Sequence, residues 1–173
     1  MMGIFGKMRQ RWHNYEQQKV YRDYLLMFDK NRGLAIIFKK YFRNFREFLT
    51  IYLQGHISPL SAQIELNRCQ HFVDISLTKL FAFIGSVNAT AEELNDVAHS
   101  VGDMNFPTKF RFNEKYMLSL KPHAGALTGI FKSIRRALGD NDREELEKHL
   151  PLYDAQVAAI LEKSKEYLKQ SRK

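Results

Sequence analysis

Apolar side chains recur with helical spacing along residues 34–53, and charged residues fill the positions between them. On a helix that turns 100° per residue, the apolar residues of this stretch fall within an arc of roughly 160°. They are Leu34, Ile37, Phe38, Tyr41, Phe42, Phe45, Phe48, Leu49, Tyr52 and Leu53. The opposite side carries charges, namely Lys39, Lys40, Arg43, Arg46 and Glu47. Because so many charges exclude a membrane-spanning helix, the pattern predicts an amphipathic helix whose aromatic side is buried in the core.

The same periodicity predicts further helices on both sides of this stretch. Upstream, a helix is expected from about 8 to 30, ended by Asn31, Arg32 and Gly33, so that it would lie antiparallel to the next helix. Downstream, Ser58 and Pro59 begin a helix that runs to about 86. Thr90 with Glu93 forms a capping box for a helix from about 91 to 101.

Two more helical regions are expected to follow Asn113 and Asp142. Asn113 is predicted to cap a helix that reaches Leu138, with a kink or break at Pro122. Asp142 with Glu145 makes a second capping signal for the last helix, which Pro151 is predicted to break. The final residues, 162–173, are highly charged and are expected to fray.

Residues 102–113, GDMNFPTKFRFN, interrupt the helical pattern. Gly102 and Pro107 are breakers, and apolar residues then alternate with polar ones, which favours an aromatic loop or a short strand. One interpretation is a lid that closes the end of the bundle. The other is a docking loop or a base-stacking platform, in which Lys109, Phe110 and Arg111 contact a partner.

These elements predict an all-α fold, an up-and-down bundle of five or six helices with one aromatic loop at about 102–113. The chain, residues 1–173, has no repeat and no linker rich in proline, glycine or serine, and its length and 45% hydrophobic content suit a single domain. Within that domain, residues 1–54 form a basic amphipathic N-terminal segment.

The charge of the chain is concentrated near its start. The formal net charge is +8, and residues 1–46 hold eleven Lys and Arg against three Asp and Glu, whereas the rest is balanced. A basic segment on a neutral body suggests an acidic partner. Residues 1–16 add an amphipathic pattern typical of interfacial helices, with Trp12 on the apolar side and Lys7, Arg9 and Arg11 on the others.

The expected compartment is the cytoplasm, with peripheral association with a membrane as an option. No apolar run of the length of a secretory signal follows the first charges. The single cysteine, Cys69, cannot form an intramolecular disulfide and is predicted to be a small core residue.

Motifs that carry chemistry are weak in this sequence. It lacks the glycine-rich loop of phosphate-binding sites and the paired Cys or His of zinc sites. The spacing of His71 with Asp74 and of Asp96 with His99 only approximates the ligand pattern of carboxylate-bridged metal sites. Arg143 with His149 has the Arg–His spacing of one class of helical ribonucleases, but chance alone explains such a pair.

These observations favour a non-enzymatic binding or adaptor protein, without a cofactor, that docks on an acidic protein or an anionic membrane surface. The predicted contact residues are Lys7, Arg9, Arg11, Trp12, Lys39, Lys40, Arg43, Arg46, Lys109, Phe110 and Arg111. The alternative prediction is a nucleic-acid-binding bundle that uses the same cations on phosphates. A helical nuclease or metal enzyme is the third.

Overall fold

The computed structural model describes residues 4–85 and 89–171, and the side chains of residues 12–82, 85 and 89–171 among them. The elements are α1 (Ile4–Leu53), α2 (Pro59–Val73), a π-helical turn (Asp74–Thr78), α3 (Lys79–Gly85), α4 (Ala91–Val101), α5 (Phe106–Gly139) and α6 (Arg143–Gln170). Since α2, the π turn and α3 follow one another without interruption, the described chain forms five helical rods. The predicted all-α bundle is therefore confirmed.

Neighbouring rods of the bundle alternate in direction. α1 and α5 run parallel, because Tyr21 bonds Asp103 just before α5 and Tyr52 bonds Asn141 just after it, each at 2.8 Å. The rod of α2 and α3 and the rod of α6 run in the opposite sense. α4 packs beside α1 and α5. The arrangement places α1 in contact with every other long rod.

The aromatic side of α1 lies in the centre of the core. Phe38, Phe42, Phe45 and Leu49 are buried. The ring of Phe45 packs edge-on against Phe131 of α5, with 5.7 Å between the ring centroids. The predicted burial of the aromatic arc is confirmed at these positions, so hydrophobic burial accounts for the pattern that dominates the sequence.

The helix break predicted at Asn31, Arg32 and Gly33 is wrong, because α1 continues through these residues. Asn31 is fully buried and its side-chain amide donates a hydrogen bond to Asn113 of α5 at 3.2 Å. Gly33 does not take a positive φ and is an ordinary helical residue, at a cost of about 1 kcal/mol relative to alanine. Packing on both sides of the glycine outweighs that cost, so the predicted antiparallel pair is one long helix.

The aromatic loop predicted at about 102–113 is also wrong. Gly102 ends α4 in a left-handed conformation, with a φ of 74°. However, α5 begins at Phe106, and Pro107 fits its first turn because the N–H groups there have no intrahelical acceptor. Phe106 and Phe110, four residues apart, share one face of α5 and are buried. The alternation that favoured an extended chain is thus the start of a helical stripe.

Neither internal proline interrupts its helix, so the breaks predicted at Pro122 and Pro151 do not occur. Both prolines are exposed. Each removes one intrahelical hydrogen bond on the solvent side. Next to Pro151, the buried side chains of Leu150 and Tyr153 hold α6 against the core.

The predicted helix caps are confirmed at three positions, Ser58, Thr90 and Asp142, and wrong at Asn113. The Ser58 side chain accepts a hydrogen bond from the backbone N–H of Ser61 at 3.3 Å. Thr90 and Glu93 form both bonds of a capping box, and the Asp142 side chain accepts a hydrogen bond from the backbone N–H of Glu145 at 2.9 Å. Asn113 is not a cap, because it lies two turns inside α5.

Candidate docking surfaces

The first turns of α1 extend beyond the core of the bundle. The indole N–H of Trp12 donates a hydrogen bond to Glu16 of the same helix, at 3.0 Å. Among the described side chains, the first in α1 to hydrogen-bond a residue outside the helix is Tyr21. All but one of the side chains of residues 12–20 are exposed. Residues 4–20 are called the N-terminal arm below, and at helical rise they span about 25 Å.

Two seven-residue repeats along α1 define opposite sides of the helix. The buried repeat faces the bundle and comprises Tyr24, Asn31, Phe38, Phe45 and Tyr52. The exposed repeat, called the outward line below, comprises Trp12, Lys19, Leu26, Gly33 and Lys40. An offset of two residues turns the second repeat about 150° away from the first. Trp12 is 66% exposed and Leu26 is 59% exposed, so the outward line offers apolar surface as well as charge.

Three of the predicted contact residues belong to the N-terminal arm but lie outside the side chains that the structure describes. They are Lys7, Arg9 and Arg11. Their role stays a prediction of the sequence.

The four cations predicted on the polar side of residues 34–53 do not form one patch. Lys39, Arg43 and Arg46 line a groove between α1 and α6, whereas Lys40 belongs to the outward line. Arg46 is paired with Asp154 of α6, with 2.9 Å between Nε and Oδ1, and Arg43 faces a carboxylate one turn away at 3.5 Å. Among the described side chains, Lys39 and Lys40 have no ion-pair partner. The charge available to a partner is therefore that of the two lysines.

α6 adds two lysines within residues 162–173, where the prediction of fraying is wrong as far as Gln170. α6 is helical to Gln170, and Lys165 and Lys169 line a groove with Lys39 of α1. Their four-residue spacing places them on one helix face, a signal that the sequence does contain. Their approach to Lys39 depends on how α1 and α6 pack, which spacing within one helix cannot show.

The predicted contact residues within 102–113, where a loop was expected, are part of the folded bundle. Phe110 is buried, so it is not available as a docking or stacking residue. Lys109 binds Asp103 at 2.9 Å, and this hydrogen bond, with a second from a tyrosine hydroxyl, holds the pKa of Asp103 below its usual value. Arg111 is paired with Glu114 at 2.8 Å. The three residues fix the start of α5.

The candidate metal residues do not assemble into a site. His71, Asp74, Asp96 and His99 are all exposed. Within the described residues, no group of three or more His, Cys, Asp and Glu side chains could hold a metal ion.

The candidate nuclease pair has local structural partners. The Arg143 guanidinium lies over the ring of Tyr52, 5.7 Å from its centroid. His149 lies 3.2 Å from Glu145, one turn earlier in α6. Both side chains therefore have contacts that join or stabilise helices.

Comparison of the chain with protein-family models, with curated proteins and with solved structures found no match. None of the helices in the described ranges combines the length and the apolar character needed to cross a membrane.

Proposed function

We propose that this protein is a non-enzymatic binding protein that docks on an anionic membrane surface through the N-terminal arm and the outward line of α1. The observation that carries the proposal is the exposure of Trp12, at 66%, and Tyr15, at 57%, on a helical segment that stands clear of the core. Among the described side chains, Trp12 contacts Glu16 and Tyr15 of the same helix, and neither aromatic ring belongs to the hydrophobic core.

The apolar side chains of the arm suit the boundary between lipid headgroups and acyl chains. An interfacial helix buries its apolar side about 5–10 Å into that boundary. Trp and Tyr suit it because an apolar ring is buried while the N–H or O–H stays in contact with water. The sequence places Ile4, Phe5 and Met8 at the same helical spacing, and Leu26 continues the apolar surface toward the bundle.

The cations of the same side of α1 favour anionic rather than neutral lipid. Lys19 and Lys40 lie on the outward line, and neither pairs with a described carboxylate. Each basic residue near an anionic surface contributes about 1 kcal/mol, and salt weakens that contribution. The cations predicted on the arm, Lys7, Arg9 and Arg11, add to the attraction.

The test is co-sedimentation of the full chain with vesicles that contain phosphatidylserine and with neutral phosphatidylcholine vesicles. We expect binding to the anionic vesicles that weakens as salt increases. Trp12→Ala with Tyr15→Ala should lower the partition coefficient by about tenfold or more, because two interfacial aromatics are lost. Lys19→Gln with Lys40→Gln should lower it by about thirtyfold at low salt, because two contributions of about 1 kcal/mol are lost, and should flatten its salt dependence.

A matched control removes apolar surface elsewhere. Leu118 of α5 and Leu152 of α6 are each 54% exposed, and their double alanine variant should bind vesicles like the wild type. If the double alanine variant of Leu118 and Leu152 lost as much binding as the double alanine variant of Trp12 and Tyr15, apolar surface in general, and not the arm, would drive binding. If the wild type does not bind anionic vesicles but binds an acidic protein or a nucleic acid, the membrane proposal is wrong.

A further inference from the structure

An apolar groove of about 530 Å³ lies between α1 and the rod that contains the π turn and α3. Met27, Leu34 and Ile37 form its wall on α1. Ile75 and Leu80 form the opposite wall. The volume falls within the range of about 300–1,000 Å³ that small-molecule sites occupy. The groove is thus large enough for a ligand and has mostly hydrocarbon walls.

Two local features keep the groove open. Gly33 has no side chain, and a Cβ atom at this position would meet no atom within 4 Å. The π turn Asp74–Thr78 widens the second rod by one residue, and Ile75 and Ser76 of this turn line the groove. Such turns inside α-helices occur often at functional sites.

The charge at the groove is positive near Gly33. Lys30 of α1 and Lys79 of α3 lie on its two walls, and neither has an ion-pair partner among the described side chains. Asp23 also lines the groove, but it is seven residues from Lys30, which is about 10 Å along the helix axis. Two lysines therefore flank apolar walls, and Asp23, the one carboxylate among the described lining residues, is displaced toward one end.

We propose that this groove binds a single-chain amphiphile of the long-chain carboxylate class. The hydrocarbon chain would cover the apolar walls, and the carboxylate would accept charge-assisted hydrogen bonds from Lys30 and Lys79. A two-chain lipid needs about twice the space for the same chain length, so one chain suits the volume better. The inference goes beyond membrane docking and does not depend on it, because the groove shares only Gly33 with the N-terminal arm and the outward line.

The test is a titration of the full chain with cis-parinaric acid, a long-chain carboxylate whose fluorescence rises in an apolar environment. We expect saturable binding with one site per chain. Gly33→Phe places a ring in the open space of the groove and should weaken binding by about tenfold or more. The double variant Lys30→Gln, Lys79→Gln should weaken binding of cis-parinaric acid by about fivefold. The inhibition constant of an uncharged long-chain alcohol, measured by displacement of cis-parinaric acid, should not change.

The matched control is Gly129→Phe. Gly129 is also a helical glycine at which a Cβ meets no atom within 4 Å, but it lies in α5 and does not line the groove. Both phenylalanine variants should melt at or above the wild-type temperature, because each replaces a glycine inside a helix. If Gly33→Phe does not melt cooperatively, Ser76→Phe fills the groove from the opposite wall and decides the result.

The proposal is overturned by the absence of saturable binding or by a groove-filling variant that binds like the wild type. It is also overturned if Gly129→Phe loses binding as strongly as Gly33→Phe. The outcome is separate from that of membrane docking, because the Trp12→Ala, Tyr15→Ala variant should still bind cis-parinaric acid with wild-type affinity.

Discussion

Replacing Phe45 with alanine tests whether the aromatic side of α1 holds the bundle together. Phe45 is 1% exposed, and its ring lies 5.7 Å from that of Phe131 and 5.5 Å from that of Tyr153, measured between centroids. Removal of a buried phenylalanine ring costs about 3–5 kcal/mol through lost burial and a cavity. Each of the two edge-on ring contacts is worth about 0.5–1.5 kcal/mol beyond area burial, so we expect the upper half of that range.

The assay is urea denaturation of the wild type and Phe45→Ala, followed by circular dichroism and supported by thermal melts. A loss of about 4 kcal/mol should lower the melting temperature by about 12 °C in a chain of this size. The control is Ile36→Ala, since Ile36 lies on the same helix but is 59% exposed and should change stability by no more than about 0.5 kcal/mol. A loss below about 1 kcal/mol for Phe45→Ala would refute the packing described for α1.

Three further predictions follow from buried polar groups. Burial raises the pKa of Tyr24 and of Tyr116 from 10.0 to about 12, so these phenols ionise more easily in the unfolded chain. The stability that they contribute is therefore complete below about pH 9 and is lost as the pH rises toward 12. The urea concentration at the unfolding midpoint should fall over the same pH range. Asn113→Leu should cost about 1–3 kcal/mol more than Asn31→Leu in urea melts, because Asn113 accepts hydrogen bonds from both Asn31 and Tyr167, whereas the Asn31 side-chain oxygen has no partner in the described structure. Cys69 is buried and its pKa is raised to about 12, mainly by burial, so a thiol reagent near pH 8 should label it only as fast as the chain unfolds; rapid labelling of the folded protein would contradict its place in the core.

Local signals in the sequence predicted the elements that depend on neighbouring residues. Helical spacing identified the buried side of α1 at Phe38, Phe42 and Phe45, and the capping box of Thr90 and Glu93 placed the start of α4. These predictions succeeded because the spacing of side chains around a helix and the hydrogen bonds of its first turn are set within a few residues.

The errors arose where contacts between distant residues decide the structure. Gly33 was expected to end a helix, but Asn31 is held by Asn113, so packing between α1 and α5 carries the helix across the glycine. The alternation of apolar residues predicts a loop or strand at Phe106 and Phe110, although their four-residue spacing matches a helix equally well. A stretch this short fits both the helical period and the strand period. Only the residues that the two rings contact in the folded protein distinguish a helix from a strand.

In the candidate docking surfaces, too, positions on a single helix could be predicted, whereas contacts between helices could not. Trp12 and Lys40 were predicted as contact residues from their positions on single helices, and both are exposed. The meeting of Lys39 with Lys165 depends on the packing of α1 against α6. The apolar groove depends on the π turn, for which the sequence has no simple signal.

The central claim is that the N-terminal arm enters the boundary of an anionic membrane. Trp12 is the single tryptophan of the chain, so tryptophan emission of the intact protein, excited at wavelengths that tyrosine does not absorb, reports on the arm alone. In buffer, the exposed indole should emit at the long wavelengths of a water-exposed ring. Titration with phosphatidylserine-containing vesicles at low salt should shift the emission to shorter wavelengths, and neutral vesicles should shift it less. An emission maximum that does not move with anionic vesicles would contradict the claim.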